Sequence, residues 1–495
     1  MLSAQPPSDE SYTMRHDLII RDATIIDGTG APRCHGDVAV TGDRITGIGD
    51  LGAHTADREV IATGLVIAPG FIDAHTHDDR AVLCGPACML CKMSQGATTV
   101  VVGNCGISLS PVRMTKRPIP PLDLLGDESW WTFDSFGAYA DRLAAEPAPV
   151  NTYALIGHMS LRVEALDGQV DRAANDREAE AMRRRLAQAL AEGASGFSTG
   201  LYYPPNGPAP TEEVIAVAEA LRDAGGIYVT HMRDEGTGVL DSIEETLRIG
   251  RDAGVPVVIS HHKCSMPENY GRSRETLPAI ERGAATQRVD FDMYPYAAGS
   301  TVMLPEKIRE DVPVQVTWSI PHPEMNGRML SDVAAEWGLT LAQAATQLLP
   351  AGAIYFQMQE DDVQRIMAHP LSMIGSDGLP HDAYPHPRLW GTFPRVLGHY
   401  ARDLGLFSLE VAVHKMTGRT AAVFGMVDRG ILRAGAYADL VLFDPATVRD
   451  AADFAHPTRP SEGILETWIN GQSAYVHGDG ATTARAGRLV TRGIS

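Results

Sequence analysis

Short apolar runs, each bounded by glycine, proline or polar clusters, recur through the middle of the chain and predict buried β-strands. The stretches between them have helical periodicity, as where Asn175 and Glu178 form a capping-box pattern ahead of an apolar stripe. We predict eight strands, at residues 66–75, 98–103, 152–157, 196–199, 226–230, 256–260, 289–294 and 371–376. Strands and helices that alternate in this way over about 350 residues predict an α/β protein with a (β/α)8 TIM barrel.

Short strands separated by tight turns occupy the two ends of the chain. A Thr-Gly-Asp turn at 41–43 and an Asn-Gly turn at 470–471 are both typical of hairpins. Small β units at both ends of one chain often join in a single structure. Residues 14–66 and 425–495 therefore predict one small β-sandwich or β-barrel domain built from both termini.

The rest of the chain, residues 67–424, is then the barrel. The gap between the strands predicted at 289–294 and 371–376 is too long for one helix, so we expect an insertion at about 295–353. Residues 1–13 are polar and acidic and contain proline, without the basic head and apolar core of a signal peptide. They predict a flexible extension.

Composition and charge narrow the range of partners. The 495 residues are 44% hydrophobic and 21% charged, which is typical of a globular protein with a large core. A net charge of −20 argues against nucleic acid or an anionic membrane as a partner. No apolar run reaches the roughly 18 residues of a membrane span. Six cysteines do not make a disulfide framework in a chain of this length, so we expect a cytoplasmic protein.

Two histidines follow the first predicted barrel strand. Side chains alternate along a strand, so His75 and His77 project to the same face and form half of a transition-metal site. The alternative is a pair of polar residues in a turn. Asp73, Asp78 and Asp79 surround the pair, and we expect them to orient the imidazoles.

Further metal-binding residue types stand at the ends of the other predicted strands. They are Asn104 with Cys105, then His158, His231, His261 with His262 and Lys263, and finally Asp377. Each has a structural alternative: a buried core histidine, a small hydrophobic cysteine, or a helix cap. Because a barrel gathers its strand ends at one face, the series together predicts a metal site.

The ligand types favour zinc over magnesium or calcium. Cys105, His231 and His261 would hold one ion and leave a fourth position for water, as in catalytic zinc sites. Asp377 would take that water's proton and return it to the leaving nitrogen. A second, weaker site is open to His75 and His77, with Cys105 as the bridge.

At this point the sequence resembles the amidohydrolase superfamily and, within it, the D-aminoacylases. The resemblance covers almost the whole chain from His16. It is carried by PGFIDAHTHDD (69–79), GATTVVVGNCGIS (96–108), STGLYYPP (198–205), THMRDEG (230–236), VVISHHK (257–263), YPYAAGST (294–301), GSDGLPHD (375–382) and HPRLWGTFPR (386–395). It implies a metal-bearing barrel with a small β domain. Many superfamily members bridge two metals with a carboxylated lysine, but here Ser198-Thr199-Gly200 ends the fourth strand, and the implied bridge is Cys105.

The resemblance also implies the substrate and the residues that bind it. It implies hydrolysis of N-acyl-D-amino acids, with the preference for the D form coming wholly from the resemblance. The implied carboxylate pocket consists of Lys263, Arg388, Tyr294 and Ser300, and the implied side-chain pocket of Tyr202, Tyr355 and Met358. The alternatives are a surface salt bridge for the arginine, a solvated strand end for the lysine, and core packing for the tyrosines and methionine. Another amide or cyclic-amide hydrolase, or a non-catalytic scaffold, also stays open.

Three cysteines after the first strand permit a different interpretation. Cys84, Cys88 and Cys91 have the spacing of an iron–sulfur triplet. The same i, i+4, i+7 spacing is typical of the buried face of a helix, which we favour. Redox sensitivity is a further possibility for these thiols.

Overall fold

The computed structural model describes residues 14–493, so the extension predicted at 1–13 lies outside the described residues. The strands, in chain order, are β1 Arg15–Ile25, β2 Cys34–Thr41, β3 Arg44–Gly49, β4 Thr55–Ile61, β5 Val66–Pro69, β6 Phe71–Asp73, β7 Ala97–Val102, β8 Val112–Arg113, β9 Thr132–Phe133, β10 Asn151–Gly157, β11 Gly196–Gly200, β12 Ile227–His231, β13 Val257–Ile259, β14 Val289–Met293, β15 Gly299–Val302, β16 Val314–Ser319, β17 Ala351–Tyr355, β18 Ser372–Ile374, β19 Leu440–Phe443, β20 Ile464–Ile469, β21 Gln472–Val476, β22 Gly480–Ala481 and β23 Leu489–Val490.

The α-helices lie mainly between the barrel strands. They are α1 Ala81–Cys84, α2 Pro86–Met93, α3 Phe136–Ala145, α4 His158–Ala165, α5 Asp176–Ala191, α6 Thr211–Ala218, α7 Ala220–Ala224, α8 Val239–Ala253, α9 Ser273–Ala284, α10 Leu330–Trp337, α11 Leu341–Leu348, α12 Glu360–Ala368, α13 Arg388–Arg395, α14 Leu409–Met416 and α15 Gly418–Phe424. The capping box predicted for Asn175 and Glu178 begins α5. Across residues 14–493, the helices all fall short of the length and apolarity that crossing a bilayer would require.

The predicted barrel is confirmed. Its strands pair in parallel and in chain order, β6-β7-β10-β11-β12-β13-β14-β18. The first and last strands are joined by Ala74 N, which donates to Ile374 O at 3.2 Å, and by a parallel bridge between Thr76 and Gly378. Closure of the ring brings the carboxyl ends of all eight strands to one mouth.

The first predicted strand, 66–75, is in fact two strands that belong to different sheets. Val66–Pro69 pairs with β1 and β19, whereas Phe71–Asp73 pairs with β7 in the barrel. The chain turns at Gly70, where a Cβ would lie only 2.2 Å from Cγ2 of Thr98. The run is apolar throughout because both of its faces are buried, so it gives no alternation that would reveal the break.

The terminal strands form one further sheet. Its order is β22-β21-β20-β19-β5-β1-β2-β3, with β4 paired to β1, so strands from both ends of the chain lie side by side. Leu440 and Leu442 of β19 face a core within this sheet, while Val441 and Phe443 pack on the barrel core. The sheet is therefore fixed to the barrel through alternate residues of its central strands.

Between the seventh and eighth barrel strands the chain builds a separate small layer. Strands β15, β17 and β16 form an antiparallel sheet, and α10 and α11 pack with it in their own apolar cluster. This layer stands over the barrel mouth, because Ser300, Thr301 and Tyr355 line the pocket described next.

Candidate metal centre and substrate pocket

Three of the predicted site residues adopt a backbone conformation that is rare for residues with a side chain. Cys105, His261 and Asp377 follow β7, β13 and β18, and their φ angles are 54°, 34° and 50°. A non-glycine residue in this region costs on the order of 1–3 kcal/mol, and such strain is concentrated at functional sites. Three strained residues at one barrel mouth indicate that side-chain placement outweighs backbone preference there.

The predicted ligands form two groups that share one thiol. His75, His77 and Cys105 make the first group, and Cys105, His231 and His261 make the second, with ligand atoms within 4.8 Å of one another in each. Cys105 Sγ is 3.3 Å from His75 Nε2 and 3.4 Å from His261 Nε2. All five side chains are buried. The fold thus brings together residues that are up to 186 positions apart in the sequence.

Asp377 lies against both the ligand groups and the pocket. Its Oδ1 is 3.5 Å from His75 Nε2 and 3.4 Å from His77 Nε2. Its Oδ2 is 2.8 Å from Arg388 Nη1. Its backbone N–H donates to the carbonyl of His75 at 2.8 Å, which holds the two mouth loops together.

Neighbouring charges set the ionisation of Cys105 and Asp377. Burial would raise the pKa of Cys105, but the imidazoles of His75 and His261 bring it well below its usual range. Burial would likewise raise the pKa of Asp377, but Arg388 and His75 hold it well below its usual range. Both shifts favour the ionised forms of the two groups, a thiolate and a carboxylate. A thiolate is the form that binds a metal, and a carboxylate is the form that accepts a proton.

The expectation that Asp73, Asp78 and Asp79 orient the imidazoles is wrong. The carboxylate beside His75 is that of Asp292 on β14, whose Oδ2 is 3.4 Å from His75 Nδ1. Its Oδ1 accepts from the backbone N–H of His261 at 2.8 Å, so one carboxylate supports a residue of each ligand group.

The three aspartates near the histidines support the mouth loops instead. Lys92 Nζ is fully buried and donates to Asp73 Oδ2 at 2.8 Å and to Ser376 Oγ at 2.7 Å. It also lies 3.3 Å from Asp78 Oδ2, while Asp79 Oδ2 accepts from the backbone N–H of Gly103 at 3.1 Å. Lys92 therefore ties the loop of the paired histidines to the loop that precedes Asp377.

Two of the histidines at strand ends do not join the ligand groups. His158 begins α4, with its Nε2 3.2 Å from Glu213 Oε1, and is part of a buried ion-pair cluster. His262 turns away from the mouth, bonds Thr276 Oγ1 at 2.9 Å and packs against Phe291. Both are therefore buried core histidines rather than members of the ligand groups, although Nδ1 of each has no hydrogen-bond partner.

A cavity of about 320 Å³ opens beside the ligand groups. Its lining includes Tyr202, His231, Lys263, Tyr294, Ser300, Tyr355, Asp377 and Arg388. Arg388 Nη2 donates to the carbonyl of Ser300 at 2.8 Å, and its guanidinium carbon lies 4.6 Å from the centre of the Tyr294 ring. Lys263 Nζ lies 5.7 Å from the same ring centre. The two cations thus lie near one aromatic ring in the lining of one pocket.

The residues predicted for an apolar side-chain pocket occupy different places. The Tyr202 ring stacks on His231, with centroids 5.2 Å apart. The hydroxyl of Tyr355 accepts a hydrogen bond from Leu304 N within the inserted layer, at 3.1 Å. The residue also lines the cavity. Met358 packs behind Tyr294, with sulfur 3.9 Å from its hydroxyl, and is not among the residues that line the cavity.

The donor set fits a metal ion of the zinc class. Both ring nitrogens of His231 are buried without a hydrogen-bond partner, which is costly unless another group binds them. Nδ1 of His77 is likewise unpartnered. Imidazoles with one thiolate are the ligands that zinc prefers, and Cys105 with His231 and His261 supplies three of the four that it takes.

The model of one protein family, the Amidohydrolase family, matches residues 58–312 and 338–475. The chain belongs to the amidohydrolase family. A D-aminoacylase of Alcaligenes xylosoxydans xylosoxydans is 52% identical over 483 residues, which cover 98% of this chain and 99% of the relative.

Two solved structures are similar to this amidohydrolase over nearly its whole length. A crystal structure of D-aminoacylase superposes with a TM-score of 0.94 at 51% identity and covers 96% of this chain and 100% of its own. An N-acyl-D-glutamate deacylase from Bordetella bronchiseptica, complexed with zinc and a phosphonate mimic of the tetrahedral intermediate, superposes with a TM-score of 0.92 at 45% identity. The match covers 96% of this chain and 99% of that structure.

The fourth strand of this amidohydrolase shows how the thiol reaches the mouth in the absence of a lysine there. Gly200 ends β11, and a Cβ on it would lie 2.2 Å from the carbonyl oxygen of Cys105. Ser198 Oγ accepts from the backbone N–H of Gly106 at 3.0 Å and so holds the same loop. Small residues on β11 therefore let the cysteine loop approach the position that a larger side chain would fill.

Sequence reasoning missed Glu235. Its buried carboxylate accepts from Lys263 Nζ at 2.6 Å and lies 3.0 Å from His261 Nδ1. Burial would raise the pKa of Glu235, but Lys263, His231 and His261 bring it well below its usual range. The sequence signal that could have revealed Glu235 is its position four residues after His231, within the THMRDEG segment (230–236) that carries the resemblance. Nothing local distinguished it from Asp234.

The cysteine triplet does not form a metal site or a continuous helix face. Gly85, with a φ of 108°, separates α1 from α2, so Cys84 lies on a different helix from Cys88 and Cys91. Cys91 is buried but Cys88 is exposed. Within residues 14–493, the three thiols are not among the groups of side chains close enough to hold an ion.

Proposed function

We propose that this protein is a zinc-dependent hydrolase that removes the acyl group from N-acyl-D-amino acids and releases a D-amino acid and a carboxylate. The observation that carries the proposal is the position of Asp377. It contacts His75 and His77 on one side and Arg388 on the other, and it lines the cavity. A proton-transfer group therefore stands between metal ligands and a cationic pocket. The relatives named D-aminoacylase and N-acyl-D-glutamate deacylase support the substrate class.

Cys105, His231 and His261 would hold the tightly bound zinc, and His75 and His77 would hold a second, weaker ion with Cys105 as the bridge. When bound, zinc lowers the pKa of a coordinated water to about 7 and polarises a carbonyl group. The support is the donor set, the burial of its members and the unpartnered nitrogens of His231. The zinc recorded with the N-acyl-D-glutamate deacylase supports the identity of the metal.

Asp377 accepts the proton of the attacking water and returns it to the leaving nitrogen. Its lowered pKa keeps the carboxylate ready to accept that proton at neutral pH. Arg388, which binds Asp377 before substrate arrives, would restrain the carboxylate in one orientation.

Lys263 and Arg388 bind the α-carboxylate of the substrate. Both are buried cations at one wall of the cavity, where charge-assisted hydrogen bonds are strongest. Tyr294 lies against both of them and Ser300 beside Arg388, so these two residues complete the pocket. The rings of Tyr202 and Tyr355 line the region left for the substrate side chain, and Met358 supports it from behind Tyr294.

The test is hydrolysis of matched N-acetyl-D- and N-acetyl-L-amino acids, with methionine and leucine as side chains, together with metal analysis of the same sample. We expect release of the D-amino acid alone and at least one zinc per chain. Protein stripped with a chelator should be inactive and should recover when zinc is added. Activity toward neither enantiomer, with zinc present, would move the substrate to another amide or a cyclic amide. A protein without metal and without any hydrolase activity would favour the scaffold alternative.

We further propose that the enzyme works in the cytoplasm on small-molecule substrates. The support is the set of six free cysteines, which suits a reducing compartment.

A further inference from the structure

A buried glutamate joins the metal-ligand group to the carboxylate pocket. Glu235 is 7% exposed and lies in the loop after β12, four residues beyond His231. Its Oε1 accepts from Lys263 Nζ at 2.6 Å and is 3.0 Å from His261 Nδ1, while its Oε2 is 3.6 Å from His231 Nε2. One carboxylate thus contacts one ligand-group histidine and one pocket cation, and it lies close to a second ligand-group histidine without a hydrogen bond to it.

The contact with His261 bears on how that ring would bind a metal. Nε2 of His261 faces the Cys105 thiol at 3.4 Å, and Nδ1 faces Glu235. A carboxylate at Nδ1 keeps the ring proton on that nitrogen and leaves the lone pair of Nε2 for a metal. Partners of this kind typically change metal affinity by about 10–100-fold when they are removed.

The contact with Lys263 bears on substrate binding. Lys263 is 7% exposed, and burying an ammonium group at this depth is costly unless a carboxylate lies beside it. Glu235 supplies that charge and holds Nζ near the Tyr294 ring, which the Arg388 guanidinium also approaches. Lys263 Nζ also lies 2.7 Å from His261 Nδ1. An ammonium group and a ring N–H at this distance are two donors, and Oε1 of Glu235 is the acceptor that lies within reach of both.

We propose that Glu235 is a positioning residue that couples metal binding to capture of the substrate carboxylate, by fixing His261 for the metal and Lys263 for the substrate. This inference rests on the proposed function. It adds a residue that touches neither the reacting atoms nor the metal and acts only through these two neighbours.

The experiment compares Glu235→Gln with the wild type in two readouts. The first is zinc affinity, measured by competition with a chelator in the absence of substrate, where we expect a loss of about 10–100-fold. The second is KM for an N-acetyl-D-amino acid at saturating zinc, where we expect a rise of about 10-fold or more, larger than the fall in kcat. Glu244→Gln is the matched control, because Glu244 is exposed on α8, lies outside the cavity lining and has no ion-pair partner within 4.0 Å in the described part of the chain. We expect the control to change neither readout by more than about 2-fold.

The double variant with Lys263→Met separates the two roles. In that background Glu235→Gln should no longer raise KM, because its target is gone, but it should still weaken zinc binding. If Glu235→Gln does not fold, Glu235→Asp keeps the charge but withdraws it from both neighbours and should show smaller changes in the same direction.

The outcomes distinguish this inference from the function on which it rests. An active, zinc-binding wild type together with a Glu235→Gln variant of unchanged zinc affinity or unchanged KM would overturn the coupling alone. A wild type that binds no zinc or cleaves no N-acyl-D-amino acid would overturn the proposed function, and the coupling with it.

Discussion

The mouth and the base of the barrel each bury a lysine, and the two lysines have opposite surroundings. Lys92, near the mouth, donates to Asp73 at 2.8 Å and lies 3.3 Å from Asp78. Lys415, at the base, donates to the carbonyl of His369 at 2.6 Å and to Ser372 Oγ at 2.8 Å. No carboxylate in residues 14–493 lies within 4.0 Å of Lys415.

The pKa values of these two lysines move in opposite directions. Burial lowers the pKa of a lysine in both places. At Lys92 the charges of Asp73 and Asp78 outweigh burial and raise the pKa above its usual range. At Lys415 burial and the charge of Arg419 act together and lower the pKa to about 7. Both lysines are buried, and the charges beside each one decide the direction in which its pKa moves. Of the two places, only the mouth supplies carboxylates that stabilise a buried ammonium group.

Asp377→Ala should have the largest effect on the mouth. Without its proton acceptor the enzyme should lose roughly 10²–10⁴-fold in kcat, because that is the usual contribution of a general base. Zinc content should persist, since Cys105, His231 and His261 are untouched. Steady-state kinetics and metal analysis of one preparation check both points. Asp361→Ala, on the exposed start of α12, is the control, and a kcat equal to that of the control would contradict the assigned role.

Lys92→Met should break the charge balance at the mouth. It leaves Asp73 and Asp78 buried without their counter-ion, and loss of one partner of a buried pair typically lowers the free energy of unfolding by about 3–5 kcal/mol. Urea unfolding at pH 7 measures this. The triple variant that adds Asp73→Asn and Asp78→Asn should recover part of the loss. A single variant as stable as the wild type would show that the pair contributes nothing.

Lys415→Met should reveal the opposite behaviour at the base. The folded-state pKa of about 7 lies below the unfolded value of about 10.4, so the unfolded chain binds more protons between these two pH values. Stability of the wild type should therefore rise with pH across that window. Relative to Lys415→Met, its free energy of unfolding should gain on the order of 3 kcal/mol between pH 7 and pH 10.

The mouth lysine provides the contrast for that measurement. Because the pKa of Lys92 is raised in the folded state, its stabilising contribution is fully present below the unfolded pKa of about 10.4 and is lost only as pH rises further, through the folded value. The difference between the wild type and Lys92→Met should thus stay flat from pH 7 to pH 9. Similar slopes for the two lysines would contradict the comparison.

Cys88→Ser should have the smallest effect. The side chain is exposed on α2 and outside both ligand groups, so the free energy of unfolding should change by less than about 0.5 kcal/mol. Zinc content should be unchanged, whereas Cys105→Ser should lose zinc. Metal analysis of the two serine variants makes the comparison. Loss of metal from Cys88→Ser would indicate that the cysteine triplet binds a metal after all.

The sequence by itself determined the barrel and the types of residue at its mouth. Strand periodicity and turn residues are local properties, and the eight strand ends put His75, His77, Cys105, His231 and His261 at one face before any contact was known. The same local information did not separate His261 from His262, because both follow one strand. In the structure His262 lies against Thr276 and Phe291, and His261 lies at the mouth.

The tertiary structure alone decided the partners of these residues. Asp292, Glu235 and Lys92 meet the mouth through contacts between segments that are distant in the chain, such as Lys92 with Ser376 across 284 positions. The break at Gly70 was hidden for a related reason, since a run buried on both faces carries no alternation. The spacing of hydrophobic residues depends on which faces of a segment are buried, so it can be read from the sequence. Hydrogen-bond partners depend on which distant segments the closed barrel brings together, so they cannot.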